Sequence, residues 1–157
     1  MRKEQVLDLI GLAARLILGV VLIIAGAVKI PNPQLSSRAV QAYEILPYDL
    51  AGTVGIVLPY IEVFVGVLLV LGIFTRFAAI ISTLLMIAFV IGISQAWARG
   101  LQIDCGCFGG GGALAAGEEP SYLVDLLRDA GLVLLGAWLI WRPRSLASLD
   151  RRLFGNA

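Results

Sequence analysis

Four long apolar stretches, each about as long as a helix that crosses a bilayer, limit what this 157-residue chain can become. They run over about 9–28, 54–74, 77–97 and 122–141 and consist mainly of Leu, Ile, Val, Ala and Gly. At about 1.5 Å of rise per residue, twenty residues cover a hydrocarbon core of about 30 Å. Lipid offers backbone polar groups no partners, so helix is the expected state. A barrel strand would alternate polar and apolar residues, and these runs do not. With 59% hydrophobic and only 15% charged residues, the chain cannot cover a water-facing surface. A net charge of +1 argues against nucleic acid as a partner. The expectation is an all-α membrane protein in contact with lipid. Residues 1–157 would form a single integral membrane domain, a four-transmembrane-helix bundle with a short interfacial helix in the first outer loop.

The first stretch has a competing reading as a signal peptide. Arg2 and Lys3 precede it, and Ala25-Gly26-Ala27 could pass for a cleavage site. Cleavage would leave Lys29 almost at a terminus, so an uncleaved helix is favoured. Four spans place both ends of the chain on one side. That side would hold Arg2, Lys3, Arg76, Arg142, Arg144, Arg151 and Arg152, with the turn at Thr75-Arg76. The other side would hold Lys29, Arg38, Arg99 and, within the start of the last span, Arg128, among many acids. Since Lys and Arg collect on the cytoplasmic side, both termini are expected there and both long loops outside.

In the first outer loop, Pro31-Asn32-Pro33 forces an extended exit from the helix. Ser36 or Ser37 could cap a short helix reaching Tyr43, with Tyr43 and Tyr48 at headgroup depth. The second outer loop, about 98–121, carries the only two cysteines, in Asp104-Cys105-Gly106-Cys107-Phe108-Gly109. Gly109 to Gly112 follow, four glycines in a row that suggest either a plain linker or thiols able to swing. Ser121 can cap the last helix, whose positive end would favour a nearby thiolate.

On the outer side of a membrane, disulfides form and persist. A Cys-x-Cys bridge closes a small, strained ring, which suits an oxidant or relay better than a brace. Zinc would need about four ligands, and the chain has no histidine and no further thiol, so no metal site is expected. Two thiolates could still hold Cu(I). A structural disulfide is the plainer alternative.

Charges inside the spans are the second candidate feature. Arg15 and Glu62 lie deepest, and the long arginine side chain could nearly reach the glutamate as an ion pair; a proton path or quinone site is the sharper reading. Asp125, Arg128 and Asp129 occupy the first turns of the last span, where an Asp125–Arg128 pair fits the i,i+3 spacing. They are either a solvated helix end or a group that tunes a thiolate or docks a quinone.

The chain resembles the DoxX-like membrane proteins, and specifically the family of methylamine utilisation protein MauE. The likeness rests on Arg15 with Ala25-Gly26-Ala27-Val28-Lys29, Tyr43-Glu44-Ile45-Leu46-Pro47, Leu58-Pro59-Tyr60-Ile61-Glu62, Asp104-Cys105-Gly106-Cys107-Phe108-Gly109 and Arg128-Asp129. It implies a multi-pass protein of the bacterial inner (cytoplasmic) membrane linked to thiol–disulfide chemistry. Partners implied are a periplasmic thioredoxin-like protein or an exported, disulfide-containing client such as methylamine dehydrogenase. No covalently bound cofactor is expected, and quinone is a candidate electron acceptor. Two rival readings stay open: an assembly factor that turns over no electrons, and a small transporter working through Arg15 and Glu62.

Overall fold

A computed structural model describes residues 2–112, 114 and 116–155; the outermost ends of the expected 1–157 domain and two alanines of the second loop fall outside it. Every regular element among the described residues is a helix: α1 Lys3–Lys29, α2 Pro33–Ala42, α3 Tyr48–Leu71, α4 Thr75–Ala98, α5 Tyr122–Trp141 and α6 Leu149–Leu153. Helices α1, α3 and α4 are long and apolar enough to cross a membrane. Helix α5 has 20 residues, but Asp125, Arg128 and Asp129 interrupt its apolar character near the start.

Small residues decide how closely α1 and α3 pack. A Cβ on Gly19 would lie 2.9 Å from the Gly66 carbonyl oxygen, and one on Gly26 would lie 2.5 Å from that of Pro59. Glycine at these positions lets two backbones meet, the usual device where lipid supplies no hydrophobic drive between helices. Gly136 of α5 packs in the same way on Thr83 of α4. Leu18, Leu22, Val65, Leu69, Ala78, Ala79, Met86, Leu132 and Leu139 fill the centre. Large apolar side chains such as Phe64, Leu84, Ile91 and Leu134 point outward instead, as a lipid-facing surface requires.

Several helix ends differ from the expectation. Helix α2 starts earlier, at Pro33 behind Asn32, because proline suits the first helical position. Ser36 therefore sits inside the helix and its hydroxyl donates to the Lys29 carbonyl at 3.3 Å. The turn between α3 and α4 is Gly72-Ile73-Phe74, with Gly72 left-handed at φ 70°, so Thr75 and Arg76 already belong to α4. The free amides of Phe74 and Thr75 donate to the Asp150 carboxylate at 2.7 and 2.8 Å. A residue 75 positions away thus caps α4, a pairing that local sequence cannot disclose.

That contact belongs to a larger closure at one end of the bundle. The Arg142 guanidinium joins Asp8 at 3.3 Å and also Glu4, tying the end of α5 to the start of α1. The chain after α5 then crosses to the turn after α3, where the Asp150 N–H donates to the Gly72 carbonyl at 2.9 Å. At the opposite end, α2 lies across the start of α3 and supports the cysteine loop.

Candidate functional site at the thiol loop

The segment after α4 folds back on the bundle, and two tyrosines hold it. The Tyr122 hydroxyl donates to the Leu101 carbonyl and accepts the Ile103 N–H at 3.3 Å. Tyr43, from the end of α2, donates to the Cys105 carbonyl at 2.8 Å. Burial pushes the Tyr43 phenol well above its ordinary pKa, so it stays a donor. Sequence reading set Tyr43 at headgroup depth as an anchor; its hydroxyl also tethers the cysteine loop.

The glycines are seats rather than a slack tether. Gly106 has φ 68°, and a Cβ there would come within 2.5 Å of the Ala39 Cβ. Gly112, at φ 78°, presses on Ala42 in the same way. Both positions need a left-handed backbone and no side chain, which only glycine supplies without strain. The loop closes through the Asp104 N–H to the Gly112 carbonyl at 3.3 Å, and the Gly109 N–H to the Gly106 carbonyl at 3.3 Å turns it around Cys107 and Phe108.

Cys105 and Cys107 are both free thiols, 9% and 7% exposed. An outward, swinging pair does not describe them: their side chains pack with Ile93, Ala96, Ile103 and Tyr122. The Cys107 N–H donates to the Cys105 sulfur at 3.2 Å. Hydrogen bonding from Cys107 holds the Cys105 thiol below its ordinary pKa against the opposing effect of burial, and the Arg128 guanidinium adds to the lowering. The same interaction, seen from the other sulfur, pushes Cys107 up, and burial pushes it further. Of the two sulfurs, Cys105 is the one at which this geometry favours negative charge.

Arg128 organises the floor beneath the loop. Its Nε donates to Asp129 Oδ1 at 2.9 Å and its Nη1 to Asp125 Oδ1 at 3.1 Å, so the i,i+3 pair expected from spacing is present. The guanidinium lies 5.0 Å from the centre of the Phe108 ring, a cation–π contact that pins the loop from above. Ser121 stands at the cap position of α5, but its hydroxyl donates to Asp125 Oδ2 at 3.3 Å rather than capping the backbone.

The deeper charges pair differently from the expectation. Glu62 meets Lys29, whose Nζ lies 3.0 Å from both carboxylate oxygens, with the two side chains 1% and 5% exposed. Arg15 donates to Ser145 Oγ at 2.7 Å and to the Ala147 carbonyl at 3.3 Å, at the closed end of the bundle. The register explains the correction. Gly19 faces Gly66, so Arg15 lies opposite about residue 70, roughly 12 Å along α3 from Glu62. Lys29 turns inward along α1 and reaches it.

These groups converge on a small cavity of about 20 Å³, between α1, α3, α4, α5 and the loop. Glu62, Cys107, Phe108, Arg128 and Asp129 reach its wall, together with apolar side chains such as Leu22 and Phe89. It has room for one water and none for a quinone ring. Motif spacing pointed to Arg128, Asp129 and Glu62 separately; only the fold brings them to one place beneath Cys107.

Fold and site together define a helical membrane protein whose buried thiol pair stands over a charge cluster. A family model described as methylamine utilisation protein MauE matches residues 7–142, and the chain belongs to that family. No curated protein and no solved structure matches it.

Proposed function

We propose that the chain is an inner-membrane thiol–disulfide redox protein serving methylamine utilisation. Four helices span the membrane with both termini in the cytoplasm, and Cys105 and Cys107 work from the periplasmic side. The pair relays electrons to or from a thioredoxin-like partner during maturation of exported, disulfide-containing proteins such as methylamine dehydrogenase. Membership of the family supports the methylamine connection. The observation that carries the redox reading is the asymmetry of the sulfurs, with Cys105 accepting the Cys107 N–H at 3.2 Å beside Arg128. A thiolate is the attacking species and a neighbouring thiol resolves the product.

In the reducing direction, Cys105 attacks one sulfur of the partner's disulfide. A mixed disulfide forms and the partner's other sulfur leaves as a thiolate. Cys107 then loses its proton and attacks Cys105, releasing the partner's second sulfur. Two electrons pass to the partner and the Cys105–Cys107 disulfide remains; the reverse sequence oxidises a client. Phe108 is 46% exposed above Arg128, and lifting it opens the sulfurs to a partner.

Helix α5 supports the count of four spans despite its charges. Asp125 and Asp129 are buried toward the bundle, whereas Leu123, Val124, Leu127 and Leu134 face outward. Twenty residues at about 1.5 Å each also reach across the hydrocarbon core.

Trapping thiols in intact cells tests the relay. The expected result is a reducible Cys105–Cys107 pair in the wild type. Cys107→Ser should accumulate a covalent adduct between Cys105 and a thioredoxin-like protein. Full function in both single Cys→Ser variants would sink the redox reading and leave the assembly-factor alternative.

A further inference from the structure

The resolving step has an unmet need: Cys107 must give up a proton from a buried position, where its thiol is the form that burial favours. We infer that Asp129 takes this proton through a single water held in the cavity beneath the loop. The inference rests on the redox reading above and adds a residue to it, a proton acceptor for one defined sulfur.

Three observations converge on Asp129. First, the cavity of about 20 Å³ is wide enough for one water, and both Cys107 and Asp129 reach its wall. Second, Asp129 is 2% exposed and its Oδ2 has no hydrogen-bond partner, while Arg128 Nη2 beside it also lacks one. Both residues line the water-sized space, and buried polar atoms without partners are what an ordered water satisfies. Third, the other carboxylates nearby are committed. Both oxygens of Glu62 take Lys29 at 3.0 Å, and Asp125 takes Arg128 and Ser121 at 3.1 and 3.3 Å. Asp129 keeps one oxygen bound to Arg128 Nε and leaves the other open. A carboxylate oriented through one oxygen and free at the other is suited to receive a proton.

The step balances as follows. Once Cys105 is in the mixed disulfide, the Cys107 S–H bond breaks and its proton passes by the water to Asp129 Oδ2. The sulfur electron pair forms the Cys105–Cys107 bond, and the partner's sulfur leaves with the electrons of the broken mixed disulfide. That leaving thiolate or bulk water later recovers the proton from Asp129. The charges facing Asp129 are Arg128 and Asp125 of α5, Cys105 and Cys107 of the loop, Glu62 of α3 and Lys29 of α1; Met86 and Phe89 of α4 add none.

The test uses the full chain in lipid nanodiscs with excess bis(2-hydroxyethyl) disulfide. Acid-quenched mass spectrometry follows formation and decay of the Cys105 adduct. In Asp129→Asn the adduct should still form but decay on the order of 100-fold more slowly, the usual worth of a positioned base. Its decay should also rise about tenfold per pH unit, as hydroxide replaces the lost base. Asparagine retains an acceptor for Arg128 Nε, so a merely structural role predicts neither change. A wild-type decay rate that falls tenfold per unit down to neutral pH would overturn the inference even if the variant did not fold, because an internal base predicts a plateau there. Equal decay in variant and wild type at every pH also overturns it, leaving the relay intact. Absence of any adduct or disulfide in the wild type overturns the relay and this inference together.

Discussion

The two sulfurs differ more than their shared motif suggests. Cys105 lies where a backbone N–H, a thiol and a guanidinium all favour negative charge, whereas Cys107 lies over Asp129 in an apolar wall. Their pH behaviour should separate accordingly. A thiol held below its ordinary value of about 8.5 ionises at a lower pH than a free thiol and loses reactivity only as pH falls through that lowered value. A raised thiol keeps its proton to higher pH. With both sulfurs reduced and in place, alkylation of Cys105 should therefore set in at lower pH than alkylation of Cys107. Fragment mapping after timed iodoacetamide exposure of the reduced wild type reads both, and equal profiles for the two sulfurs would refute the asymmetry. The motif Asp104-Cys105-Gly106-Cys107-Phe108-Gly109 was legible as the reactive element, but the division of roles within it was not. That division depends on Arg128, about 20 residues further on, and on the turn at Gly106 that aims the Cys107 N–H at its neighbour's sulfur.

At the scale of helices, α1 and α3 are joined twice, by the glycine seam and by Lys29–Glu62. The seam brings the backbones close, and closeness puts the ion pair out of reach of water. A buried pair contributes little net stability, yet removing one partner strands the other charge at a cost of about 3–5 kcal/mol. Lys29→Met should accordingly lower the unfolding free energy by roughly that amount, and Lys29→Met with Glu62→Met should recover most of it. Steric-trapping measurements in bicelles would compare the two. A double variant as unstable as the single one would show that the pair holds the helices rather than merely neutralising itself. The apolar runs foretold which segments become helices, and 122–141 coincides with α5. Charge partners were harder to foresee, because depth counted along separate helices says nothing of their mutual register. Gly19 opposite Gly66 fixes that register, and neither glycine is marked as a contact in the sequence.

Across the whole molecule the basic residues are shared unequally between the two ends. Arg76, Arg142, Arg144 and Arg151 line a wide cleft at the closed end beside Glu4, Asp8 and Asp150, with Arg15 bound to the chain nearby. The cysteine loop occupies the other end, where Arg38, Arg99 and the paired Lys29 and Arg128 stand among Asp104, Glu44 and Asp49. Arginines near helix ends are retained on the cytoplasmic side, and the orientation proposed above rests on this division. It also makes the segment after α5 structural rather than ornamental. Ser145 and Ala147 receive the otherwise buried Arg15, and Asp150 caps α4. The proposed count of four spans keeps the start of α1 and the end of α5 on one side, in keeping with the contact of Arg142 with Glu4 and Asp8 of α1. Reporter fusions after Leu153 should therefore be active as a cytoplasmic fluorescent protein and inactive as a periplasmic phosphatase. Ala116→Cys, at an exposed position of the second loop, should react with a membrane-impermeant maleimide from outside in intact spheroplasts. Phosphatase activity at the C-terminus, or protection of residue 116 until the membrane is broken, would overturn the orientation and remove the thiols from the oxidising side.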